Sequence, residues 1–358
     1  SDARLETLMK DLTPVVMNPY DRRDKIRTSA IQGVESLFPI LGDHRDLEVN
    51  NLRVDKKDYS ASDIKDAVLS GRTLGEQLKA DMTIRDKNGQ VIDVKKNHSL
   101  MRVPYFTPQN TFVVKGNEYV VRHQLRTMPG VYTRKRGNGE LEASFNLAKG
   151  SNFRLSMDPE KGHMNMEYGS SKIPLYPVLR GMGMTHTDIS KQWGSGVANQ
   201  NQDAFDPKRD KHVDRLYKKL VPQRKVDSSL NTGEKVSVIL DKYSNTLLDK
   251  ETTKKTLGEA HTSVTPRSLL AASKKLLRVY KGEATSDERD SLEYQTLHSP
   301  EDFIRERLEH SGRNMRWKLK SKLDLTSKPE ISKVLPSSTF TKPVDSFITT
   351  SQITTSPT

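Results

Sequence analysis

Thr111-Phe112-Val113-Val114-Lys115-Gly116-Asn117-Glu118-Tyr119-Val120-Val121-Arg122-His123-Gln124-Leu125-Arg126-Thr127-Met128-Pro129-Gly130-Val131-Tyr132 is the stretch on which the reading of this chain turns. Two short β-branched runs, Phe112 to Val114 and Tyr119 to Val121, flank Lys115-Gly116-Asn117. This pattern predicts a hairpin, with Gly116 or Asn117 taking positive φ. Met128-Pro129-Gly130 then breaks the chain and redirects it.

Before this stretch, residues 1 to 37 predict helix. Leu5, Leu8 and Met9, then Ile26, Ile31, Val34 and Leu37, recur at helical spacing, and Pro14 and Pro19 interrupt them. Leu47 to Val54 and Leu78 to Ile84 predict strands, with Leu78, Ala80, Met82 and Ile84 alternating onto one face. Asp86-Lys87-Asn88-Gly89 supplies a type I′-compatible turn into Val91 to Val94. Between the strands, Ser62-Asp63 predicts the cap of a short helix through Leu69.

After it, the composition shifts at Arg134 to Arg, Lys, Gly and Asn, which marks a second domain. Glu142 to Asn146, Phe153 to Met157 and a run ending at Tyr168 predict strands, the last two joined by the turn Asp158-Pro159-Glu160-Lys161-Gly162. A short helix follows over Leu175 to Met182. Residues 193 to 264 are polar and weakly periodic; a helix at Val213 to Leu220 and a strand at Lys235 to Leu240 are the readings there. Thr265-Pro266 and Ser299-Pro300 each set a hydroxyl cap before a first-turn proline, predicting two further helices. The second has Ile304, Leu308, Met315 and Leu319 as its stripe, and Arg305, Arg307, Arg313, Arg316, Lys318 and Lys320 on other faces. That basic face reads as solvated surface or subunit interface ahead of DNA contact. From Ser327 the chain is rich in Ser, Thr and Pro and, taken by itself, reads as a flexible tail.

The 358 residues suffice for two or three compact units. Hydrophobic content of 33% beside 29% charged residues suits a subunit with much surface facing water or nucleic acid. The 59 Lys and Arg against 46 Asp and Glu leave a formal charge of +13, which points to a polyanionic partner. Cysteine is absent, which excludes disulfides and thiolate chemistry. The nine histidines lack metal-ligand spacing, no Asp-x-Asp occurs, and neither a phosphate loop nor a nucleophile elbow is present. No apolar run reaches the ~18 residues of a membrane span, and no signal-peptide pattern opens the chain.

The hairpin stretch resembles the N-terminal part of the β subunit of multisubunit, bacterial-type RNA polymerase. That family carries the same order of Phe and hydrophobics, Gly-x-Glu, two valines, Gln-Leu-x-Arg and Pro-Gly-Val. The likeness is dense over 78–132, moderate over 150–190 and 265–310, and thin over 193–264; at the tail it rests on Ser351-Gln352-Ile353-Thr354. The resemblance implies an α+β, multi-domain fold made of the polymerase β protrusion, the lobe and the start of the fork. It implies the first part of the protrusion at 1–132, the lobe at 133–264, a return to the protrusion at 265–285 and the fork region at 286–358. A β divided at this place resembles the split β of large-genome bacteriophages, which implies the cytoplasm of a bacterial host, with packaging in the virion left open.

As function, the resemblance implies a non-catalytic β fragment of a DNA-directed RNA polymerase, forming one wall of the DNA cleft. Its implied partners are a C-terminal β chain that completes the tail, β′-like subunits, the template and non-template strands, and the nascent RNA. The catalytic Mg²⁺ of such enzymes is held by the β′-like subunit, so no catalytic or metal residue is assigned here. In β, an Arg, an aromatic and an Asp border a pocket for an unpaired non-template base, and the matching positions are Arg126, Phe153 and Asp290. Gln352 is the fourth nucleic-acid-facing position that the resemblance implies. One departure stands out: the family's Leu-Gly-Asn-Arg-Arg appears as Leu292-Glu293-Tyr294-Gln295-Thr296, without both arginines. The basic charge alone also allows a free-standing DNA-binding or architectural protein, although no helix-turn-helix, RNA-recognition or finger signature appears.

Overall fold

The computed structural model describes residues 17–203, 205–351 and 353–357. The chain folds as two compact units. One is formed by residues up to Leu125 together with Leu297 onward, the other by Arg126–Thr296.

In the first unit, helix Pro19–Glu35 begins where the Asn18 side chain accepts from the Asp21 N–H at 2.9 Å, with proline in its first turn. Ile26, Ala30 and Val34, four residues apart, form its buried face. Gly33 lets this helix approach the 25-residue helix Pro300–Asp324 closely, since a Cβ there would lie 2.8 Å from Leu308 Cβ. Four antiparallel strands follow in sequential order: β1 (Ile40–Leu41), β2 (Arg45–Asp55), β3 (Gly75–Asp86) and β4 (Val91–Pro104). Leu78, Ala80, Met82 and Ile84 of β3 are all fully buried, as their alternation predicts. The β3–β4 turn differs from the expected type I′. Gly89 N–H donates to Asp86 O, and only Gly89 has positive φ, because Asp86 Oδ1 holds the Asn88 and Gln90 N–H groups. The helix between β2 and β3 spans Ala61–Leu69, capped two residues earlier than expected by Ser60, which forms a reciprocal box with Asp63.

The hairpin is β5 (Phe112–Val114) and β6 (Asn117–Val121), in the register Val114↔Asn117. Lys115 and Gly116 are its two central residues, both at positive φ (51° and 79°), which defines a type I′ turn. Asn117, one of the two candidates for that conformation, is instead the first strand residue. The segment read as a flexible tail is ordered: helices Ile331–Val334 and Thr341–Thr350 bury Ile331, Val334, Val344, Phe347 and Ile348 in the first core. A tail with this many apolar anchors gains more from burial than it loses in chain entropy. The predicted helix positions Leu5, Leu8 and Met9 lie outside the described residues.

Strand β7 (Gln124–Thr127) carries the chain into the second unit. There β8 (Gly130–Lys135), β9 (Leu141–Asn146), β10 (Phe153–Met157), β11 (Met164–Tyr168) and β12 (Ser171–Pro174) form an antiparallel meander in sequential order. One sheet face packs under helices; its residues include Val131, Ala143, Phe145, Leu155, Met166 and Ile173. Residues 235–240, expected as a strand, lie instead inside helix Thr232–Ser244. The run Val236-Ser237-Val238-Ile239 alternates like a strand. A reciprocal cap between Asn231 and Glu234 and the burial of Val236, Ile239 and Tyr243 at helical spacing outweigh it. Helix Pro266–Tyr280, expected to lead back to the first domain, buries Leu269, Leu270, Leu276 and Leu277 in the second core.

Candidate nucleic-acid interface

Strand alternation gives the meander a second, outward face, and on this face opposite charges meet directly across strands. Register places Arg134 opposite Glu142, and sets Ser144, Arg154, Glu167 and Lys172 in one row across four strands. Glu142 and Glu167 are almost fully buried by these neighbours. Arg136 bridges them: its guanidinium donates to Glu142, lies 2.6 Å from Glu167 Oε2 and 2.8 Å from Glu140. Arg134 also pairs with Glu142, and Lys172 stands 3.3 Å from Glu167 Oε1. Burial pushes both carboxyls up, but the arginine hydrogen bonds and charges outweigh it, so Glu142 and Glu167 sit below the usual carboxylate range.

At one end of this sheet β9 runs out, β10 begins and β11 ends, leaving an open cleft of about 260 Å³. It is lined by Ser144, Phe145, Asn146, Asn152, Phe153, Arg154, Glu167, Gly169 and Arg289. The segment carrying Arg289 is fixed to the sheet edge. Thr133 N–H donates to Asp287 Oδ2 (2.8 Å) and Asp287 N–H to Thr133 O (2.7 Å). Lys275 Nζ stands 3.3 Å from the same carboxylate. Burial raises the Asp287 carboxyl above its usual range despite these partners. Beyond it, Gln295 Nε2 donates to Arg289 O at 3.0 Å. Asn152 and Asn146 are tied to each other and to the Leu147 and Thr127 backbone, which orients their amides at the cleft. A volume below the roughly 300–1,000 Å³ of drug-sized pockets fits one small, flat, polar group. Two guanidiniums, two amides, a hydroxyl and a carboxylate offer both donors and acceptors to such an edge.

Of the residues singled out in the sequence, Phe153 lines this cleft, but not as a stacking surface. Its ring lies between Phe145 (4.4 Å) and Tyr168 (5.1 Å), near-parallel to both, so its two faces are already covered and it serves as floor. Tyr168 in turn shares a 2.6 Å hydroxyl contact with Tyr243 beneath. Asp290 is exposed and follows the lining residue Arg289, yet does not itself line the cleft. Arg126 is half-buried in β7 and is not among the lining residues. Gln352 lies outside the described residues. Sequence reasoning missed Arg154 and Arg289. The parity of β10 held the first, since Phe153 facing inward turns its neighbour outward; nothing local marked the second.

Residues 129–298 match the family model described as RNA polymerase Rpb2, domain 2. The DNA-directed RNA polymerase subunit beta of Euglena longa is 26% identical over 143 residues, covering 40% of this chain and 13% of that subunit. These matches support an RNA polymerase β-type subunit region, and the α+β fold with several antiparallel sheets is consistent with it. No helix among the described residues is long and apolar enough to cross a membrane.

Proposed function

We propose that this chain supplies one wall of the DNA cleft of a DNA-directed RNA polymerase, assembled with further β-type and β′-like polypeptides. The observation that carries this reading is a coincidence of boundaries. The Rpb2 domain 2 match spans 129–298, and the fold isolates 126–296 as a body with its own core. A match that begins and ends with a physical unit reflects a shared domain rather than a shared short motif.

Within that body, the cleft at Arg154 and Arg289 receives an unpaired base of the non-template strand, and its guanidiniums hold base edge or phosphate. The chain contributes positioning and electrostatics. In this proposal the β′-like polypeptide supplies the catalytic Mg²⁺.

The test is the lifetime of the open complex formed by the assembled enzyme on a promoter. Arg289→Glu shortens it roughly tenfold, the effect of losing one charge-assisted contact, while the subunit still co-purifies with its partners. An unchanged lifetime removes the cleft from the proposal. RNA synthesis by the isolated chain with Mg²⁺ and nucleotides overturns the subunit reading altogether.

A further inference from the structure

The two tryptophans have opposite surroundings. Trp193 is buried, and its Nε1–H donates to Ser273 at 2.7 Å. Trp317, on helix Pro300–Asp324, is 59% exposed and has no hydrogen bond or ring partner among the described residues. From His310 to Leu323 this helix carries Arg313, Arg316, Lys318, Lys320 and Lys322 and not one Asp or Glu. Arg316 donates to Ser36 O; the other four cations have no ion pair among the described residues. At 100° per residue His310, Arg313, Lys320 and Ser321 fall within about 60° of Trp317, and Arg316 and Lys318 flank it.

The helix dipole does not account for this charge. Its effect is confined to the last turn, and Arg45 already meets that turn, donating to Leu323 O at 2.8 Å, and reaches Ser327 O just past the helix end at 3.1 Å. Two kinds of partner are disfavoured by what surrounds the ring. A helix that docks in a protein groove or lies on a lipid surface shows several apolar anchors at i, i+3, i+4 and i+7. Here Trp317 is the one exposed large apolar side chain between His310 and Asp324. Leu325 follows only past the helix end, roughly 12 Å further along the axis. A lone planar ring among unpaired cations is what a strand of unpaired nucleotides needs: a face to stack on and positive charge for its phosphates.

We infer that the C-terminal half of this helix is a docking surface for single-stranded nucleic acid, with Trp317 as its stacking platform. This surface belongs to the first unit and is independent of the cleft at Arg289.

The experiment uses the 358-residue chain and a short oligothymidylate, read by tryptophan emission, with Trp193 as a buried background. The oligothymidylate quenches the emission at low salt, and added salt reverses the quenching. Trp317→Ala weakens binding of a labelled oligothymidylate roughly five- to hundredfold. Arg313→Glu with Lys320→Glu also weakens it and flattens its salt dependence. Trp317 is exposed, so its replacement leaves the fold intact, which circular dichroism checks. Arg289→Glu keeps the quenching, so failure of the cleft proposal and failure of this one are told apart. The inference is overturned if no quenching occurs, if Trp317→Ala binds as tightly as the parent, or if polyglutamate of matched charge quenches and competes equally well. That last outcome would point to an acidic protein as the partner.

Discussion

The solvent-facing sides of the two sheets carry charge in different ways. In the first unit four ion pairs join β2 to β3 or to the turn that follows it: Arg53–Asp81 (3.7 Å), Lys79–Asp55 (2.7 Å), Arg85–Glu48 (3.1 Å) and Lys87–Asp46 (2.5 Å). Each reaches diagonally, two residues beyond the directly opposite position. Glu48, for example, faces Thr83 and pairs with Arg85. Both members of each pair are substantially exposed. In the second unit Arg134 and Lys172 stand directly opposite Glu142 and Glu167, Arg136 joins both carboxylates from just past the end of β8, and each buried carboxylate is thus shared among several cations. Diagonal pairs remain in water, where attraction is largely offset by side-chain entropy. A shared buried carboxylate has no water to fall back on when a partner is lost. A similar number of ion pairs therefore means little for stability in one sheet and much in the other.

The largest expected effect tests this contrast directly. Glu142→Gln removes the negative charge that Arg134 and Arg136 share and turns an amide NH₂ toward one of them. It is expected to destabilise the second unit by about 3 kcal/mol, the low end for breaking a buried pair because both arginines keep some water. Urea unfolding measures it, and a loss below that seen for an exposed pair would erase the distinction. Acid titration comes next. Because the folded carboxyls of Glu142 and Glu167 lie below their ordinary value of 4.5, their contribution is present above that pH and fades as pH falls. Asp287 has the opposite sign: raised in the fold, it favours the folded state below 3.8 and less so as pH rises. Net loss of thermal stability between about pH 5 and pH 3 is expected, shallower in Glu142→Gln; a flat profile would remove the carboxylate lattice from the account. The smallest effect belongs to Glu48→Gln on the first sheet, about 0.2–1 kcal/mol. A larger loss by the same urea assay would show that diagonal pairs do more than this comparison allows.

Much of this architecture was legible in the sequence because it rests on local signals. Alternation gave β3, capping residues gave the starts of the helices at Pro266 and Pro300, and Lys115-Gly116 gave the hairpin. Failures came where tertiary packing overrode local pattern. The strand-like Val236-Ser237-Val238-Ile239 became helix because its neighbours bury one helical face. The tail from Ser327 became ordered because Val344, Phe347 and Ile348 find a core that no local window displays. The candidate cleft was only half legible, since Phe153 lies 136 residues before Arg289 and it takes the Asp287 clamp and the Gln295 amide to hold the Arg289 segment at the sheet.

That clamp also bears on how fast and how tightly the cleft can work. The backbone around Arg289 is held by Thr133 on one side and by the Gln295 amide on the other. The conformational freedom of this segment is thus lost when the unit folds, not when a ligand arrives. Binding at its guanidinium then has only side-chain rotamers left to freeze, so the rim behaves as a preorganised receptor. In such a receptor, changes in affinity show mainly in the rate of departure rather than in the rate of capture.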